Sequence, residues 1–67
     1  MNTMLRQERI KRSWTLRYVA DQVGTSKQAI QKLETGQTKP SYDVLVKLLD
    51  IFEYNDPRQL FSPVDES

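Results

Sequence analysis

The 67 residues carry 10 Lys and Arg against 9 Asp and Glu, a net charge of +1, with no cysteine and no histidine. A chain of this length makes one small domain that buries about 60% of its unfolded surface, and the missing residue types exclude disulfides, the usual zinc sites, Ser-His-Asp and Cys-His dyads and a histidine pH switch. No apolar run reaches the roughly 18 residues of a bilayer span, and MNTMLRQERIKRSW lacks the apolar core of a signal peptide, so the expectation is a soluble, cytoplasmic protein without a leader.

A first helix is predicted over residues 3–13, where Leu5 and Arg9 mark a polar, basic surface with Ile10 beside Arg9, and Trp14 leaves that helix to lie against the bundle. Thr15 is a residue type that caps helix starts. Leu16, Val19, Ala20 and Val23 follow it at i, i+3, i+4, i+7, which predicts a second helix over 16–23. Gly24-Thr25 forms a turn, and Ser26 caps a third helix over 27–35 with Ile30 and Leu33 inward. Gly24 and Gly36, the two glycines, stand where a helix ends in a left-handed residue, which glycine adopts without a Cβ penalty.

Gln37-Thr38-Lys39-Pro40 is a polar loop, Pro40 keeping Lys39 out of the helical region. Ser41 caps a fourth helix over 42–53, whose Val44, Leu45, Leu48, Leu49 and Phe52 make the most apolar stripe of the chain. Asn55-Asp56-Pro57 opens a short fifth helix anchored by Leu60 and Phe61. From about residue 62 the chain is expected to fray, with Asp65-Glu66 in a solvated tail. Strand and hairpin signals are missing, so the expected fold is all-α: a compact five-helix bundle, one domain over 1–67.

Thr15 to Gly36 therefore reads as a helix-turn-helix. The outer face of its third helix carries Lys27, Gln28, Gln31 and Lys32. Gln can pair bidentately with adenine N6 and N7, and Lys can donate to guanine O6 and N7, each good pair discriminating by about 1–3 kcal/mol. A polar helix face is ordinarily only solvated, so the charge distribution matters. Residues 1–17 sum to +4, 18–25 to −1, 26–40 to +2 and 41–67 to −4. One pole can meet phosphates while the other stays away from them.

These residues resemble the Xre/Cro/C1-type helix-turn-helix domain, typified by the lambdoid phage repressors and Cro proteins. The resemblance covers about residues 4–61. It rests on Thr15, Val19-Ala20, Val23-Gly24-Thr25-Ser26, Ile30, Leu33-Glu34, Gly36, Pro40 and the Leu48-Leu49-Phe52 stripe. It implies a lambda repressor-like five-helix bundle and a transcriptional regulator, acting as a repressor or a phage or mobile-element switch protein. Lys27, Gln28, Gln31 and Lys32 would then contact bases. Thr15, Arg17, Thr35, Gln37, Thr38 and Lys39 would contact phosphates. Family members often carry Gln after the cap, where this chain has Leu16, and Arg17 would take over that contact. The resemblance also implies a largely buried ion pair between Arg9 and Glu34. The implied partner is a pseudo-palindromic duplex bound by a homodimer, weak or DNA-assisted, through Tyr54, Pro57, Arg58 and Phe61. No cofactor, metal or small-molecule ligand is expected.

Two rival classes stand against this. For an enzyme, there is no general base near neutrality and no glycine-rich phosphate loop. The other is a protein-interaction module, or an antitoxin or controller component, offering Tyr54, Arg58, Pro63 and Val64 to a partner.

Overall fold

The computed structural model describes residues 2–64. Its helices are α1 (Met4–Lys11), α2 (Leu16–Val23), α3 (Lys27–Glu34), α4 (Tyr42–Phe52) and α5 (Arg58–Phe61). The five-helix, all-α expectation holds. The bounds of α2 and the starts of α3 and α4 match the predicted ones, and the ends of α1, α3 and α4 differ by one or two residues, the usual uncertainty where the last turn loses its hydrogen bonds.

The local signals act as their chemistry requires. Thr15 Oγ1 accepts the Tyr18 N–H at 2.9 Å, Ser26 Oγ the Ala29 N–H at 3.1 Å, and Ser41 Oγ the Val44 N–H at 3.4 Å. Gly24 and Gly36 sit at φ +72° and +78°. After α3 the Gln37 N–H returns to the Lys32 carbonyl at 2.9 Å and the Gly36 N–H to the Leu33 carbonyl at 3.3 Å, the paired closure of a Schellman turn. Asp56 Oδ1 accepts the Arg58 N–H at 3.0 Å and so starts α5.

Among the described residues, two positions adopt left-handed backbone without being glycine: Ser13 at φ +59° and Glu53, which ends α4, at φ +61°. A side chain there costs about 1–3 kcal/mol, and glycine gives back about 0.4–1 kcal/mol through the freer unfolded chain. Glu53→Gly is therefore expected to stabilise the domain by about 1 kcal/mol, raising Tm by about 4–8 °C in a thermal melt followed by circular dichroism.

Leu5, Val19, Ala20, Val23, Ile30, Leu33, Leu48, Phe52 and Leu60 form one buried cluster. α2 packs on α3 and α4, and α1 packs on α3 and α5. Thus α3 is gripped from two sides and leaves one face outward. Trp14 leaves α1 and packs at 5.0 Å from the Phe52 ring and 5.1 Å from the Tyr18 ring, centroid to centroid.

Residues 62–64, expected to fray, are paired with the start of the chain. Thr3 and Pro63 form an antiparallel bridge, the Val64 N–H donates to the Asn2 carbonyl at 2.9 Å, and the Val64 side chain is buried. The apolar Val64 finds cover beside the start of the chain, which the expectation of a frayed terminus leaves out. Asp65, Glu66 and Ser67 lie outside the described residues.

Candidate nucleic-acid interface

α3 buries Ile30, Leu33 and Glu34 and exposes Lys27, Gln28, Gln31 and Lys32. Residues one turn apart share a face, so 27 with 31 and 28 with 32 stand in two adjacent rows. Among the described residues, none of these four side chains has a hydrogen-bond or ion-pair partner. Their donors and acceptors therefore face solvent.

Thr15 and Arg17 lie at the exposed start of α2. The Thr15 hydroxyl accepts the cap bond, which leaves its own proton free to donate. Arg17 is 86% exposed and only loosely approached by Asp21, at 4.0 Å. Leu16, in place of a phosphate-clamping Gln, is half-buried against the core, so its apolar side chain serves packing.

Gln37, Thr38 and Lys39 are exposed in the loop after α3. Thr35 differs. Its hydroxyl donates to the Gln31 and Lys32 carbonyls at 3.2 Å each, and its N–H donates to the Gln31 carbonyl at 3.1 Å. Both Thr35 donors close the end of α3. The sequence reading also passed over Lys47, whose Nζ lies 3.9 Å from where a Cβ on Gly24 would stand. It places a cation beside the turn. Only the packing of α4 on α2 brings it there, so no local pattern could have found it.

Behind this face, Arg9 and Glu34 meet in a two-pronged ion pair. Nε lies 2.5 Å from Oε2 and Nη2 lies 3.2 Å from Oε1, while Nη1 donates to the Trp14 carbonyl at 2.8 Å. The side chains are 13% and 4% exposed. The pair fastens α1 to the last residue of α3.

A second charged cluster went unread in the sequence. Glu8 Oε1 accepts from Arg12 Nη1 at 2.8 Å and from the Tyr54 hydroxyl at 2.5 Å, and Oε2 faces Lys11 Nζ at 3.4 Å. Arg12 also donates to the Phe52 carbonyl at 3.3 Å. Its guanidinium lies 4.9 Å from the centre of the Phe52 ring and 5.7 Å from the Trp14 and Tyr54 rings. The Arg12 hydrogen bond, followed by that of Tyr54, holds the Glu8 carboxyl at about 2 against an ordinary 4.5, although burial opposes this. The i, i+4 spacing of Glu8 and Arg12 is a pairing signal. The closure by Tyr54, 46 positions away, is not visible in it.

Tyr54 is thus tied to α1. Arg58 is exposed and holds Asp56 at 2.8 Å. Pro57 and half-buried Phe61 line a groove of about 420 Å³ with Thr3, Leu45 and the loop residues Thr38 and Lys39.

A sequence profile of the family described as Helix-turn-helix matches residues 5–57. The HTH-type transcriptional regulator AnsR of Bacillus subtilis (strain 168) is 37% identical over 49 residues, which are 73% of this chain and 42% of that protein. The chain thus spans less than half the length of that relative. No solved structure gives a significant match.

Proposed function

Since this chain belongs to the Xre/Cro/C1-type helix-turn-helix family, we propose that it binds duplex DNA in a sequence-specific way and regulates transcription, with α3 lying in the major groove. The observation that carries the reading is the division of α3: its apolar face is locked into the core, while Lys27, Gln28, Gln31 and Lys32 stand exposed. The pattern of donors and acceptors along a base-pair edge is what such side chains discriminate. Thr15, Arg17, Gln37, Thr38, Lys39 and Lys47 flank that face and supply the phosphate contacts that set register. Thr35 serves the helix end. The protein acts as a repressor by occupying its site, as a homodimer on a pseudo-palindrome whose half-sites lie roughly 34–36 Å apart. Pro57, Arg58 and Phe61, at the groove beside the phosphate-facing loop, are the dimer contact. Tyr54 contributes by closing α1 onto the end of α4.

Of the surface offered by an interaction module, Val64 is buried and the Tyr54 hydroxyl is bound to Glu8, while Arg58 and Pro63 stay exposed. Selection from randomised duplexes at two salt concentrations tests the proposal. Wild type is expected to return a palindromic motif, and Gln28→Ala to relax one position in each half-site by about 1–3 kcal/mol. Salt-sensitive binding without a motif would leave only a basic face, and an unpaired single half-site would refute the dimer.

A further inference from the structure

α1 begins without the side-chain cap that α2, α3 and α4 have. Thr3 stands at its N-cap, yet the hydroxyl does not turn back onto α1. Thr3 Oγ1 donates instead to the Leu33 and Glu34 carbonyls at 3.2 Å each, and the Thr3 N–H donates to the Glu34 carbonyl at 2.8 Å. A helix leaves its last four carbonyls without intrahelical partners. In α3 these are Gln31, Lys32, Leu33 and Glu34. The first two are taken by Thr35 and Gln37 from the following loop. For Glu34 the partner comes from the far end of the chain, and Leu33 shares one.

Thr3 is only 7% exposed. It is held from behind: it bridges Pro63, the Met4 N–H donates to the Ser62 carbonyl at 3.0 Å, and the Val64 N–H donates to the Asn2 carbonyl at 2.9 Å. Residues 2–4 are therefore wedged between the end of α3 and the segment 62–64, with buried Val64 as its anchor.

We propose that Thr3 is a positioning residue for α3, backed by Ser62–Val64, and that it sets the angle at which the base-facing side chains are presented. The proposal rests on the DNA-reading assignment above. Arg9 grips the side chain of Glu34, whereas Thr3 grips the backbone of Leu33 and Glu34. Two attachments of different kinds at one helix end restrain tilt as well as distance. α3 is about 12 Å long at 1.5 Å per residue, and Ser26 caps its other end. Loosening the Thr3 end therefore displaces Lys32 more than Lys27 or Gln28, and leaves the phosphate contacts on α2 in place.

Thr3→Val keeps shape and backbone bonds and removes the hydroxyl; Thr3→Ser restores it. Amide hydrogen exchange is read at Thr35, Gly36 and Gln37 against core amides of α2. Thr3→Val is expected to speed exchange at those three amides about threefold to tenfold, the effect of one ordinary hydrogen bond, with Thr3→Ser close to wild type. Measured well below each melting temperature, the affinity ratio between the selected duplex and a scrambled one is expected to fall by a similar factor in Thr3→Val. Val64→Ala should shift it the same way, and Thr3→Ser should restore it. The selected motif should weaken first at the position read by Lys32. Exchange that rises evenly along the chain, or a ratio that stays at the wild-type value, overturns the proposal. A wild-type protein that discriminates no sequence refutes the DNA-reading assignment instead, and the exchange comparison still decides whether Thr3 holds α3.

Discussion

Glu34→Ala is expected to cost about 3–5 kcal/mol, the range for breaking one side of a buried ion pair. Two of the three Arg9 contacts end on this carboxylate, and the arginine that remains is only 13% exposed. Its charge would stay desolvated with the Trp14 carbonyl as its remaining partner. A domain of this size has little more than about 3–5 kcal/mol of total stability, so the variant should be largely unfolded at ambient temperature. Urea titration followed by circular dichroism measures this directly. The double change Arg9→Met with Glu34→Leu removes both desolvation costs together and is expected to recover most of the loss. A loss below about 1 kcal/mol for Glu34→Ala would place the pair with solvent-screened surface bridges.

Acid should unfold the domain largely through Glu8. Its carboxyl titrates at about 2 in the folded protein against 4.5 ordinarily. A depressed folded value means that the ionised form favours the native state. The associated stability, about 3 kcal/mol at 1.36 kcal/mol per unit, is fully present above about pH 5. It is lost as the pH falls from there toward 2. Asp56, lowered at the surface by Arg58, acts with the same sign. Denaturant midpoints between pH 7 and pH 3 should therefore fall steeply in wild type. In Glu8→Gln they should start lower and fall much less. Parallel pH profiles for the two proteins would remove Glu8 from the account.

The elements that short-range chemistry controls were legible. Thr15, Ser26 and Ser41 could be read as caps because a hydroxyl beside the four orphan N–H groups of a helix start can satisfy one of them. Gly24 and Gly36 could be read as helix ends because left-handed backbone excludes most other residues. Glu53 ends α4 in the same conformation without being glycine, so its turn was invisible. The outward face of α3 followed from periodicity, since an apolar stripe at Ile30 and Leu33 leaves the Lys and Gln positions outside.

The sequence by itself determined the five helices, the inward faces of α2, α3 and α4 and the polar composition of the surface that α3 turns to solvent. These depend on contacts within about four residues, where spacing dictates geometry. Tertiary structure alone decided which polar groups are consumed internally. Thr3 forgoes its own helix for the carbonyls of α3, and Glu8 is closed over by Tyr54. Each choice matches a buried donor or acceptor to a partner elsewhere in the chain. Burial makes such a match compulsory, but only the folded arrangement of the helices says which partner is within reach.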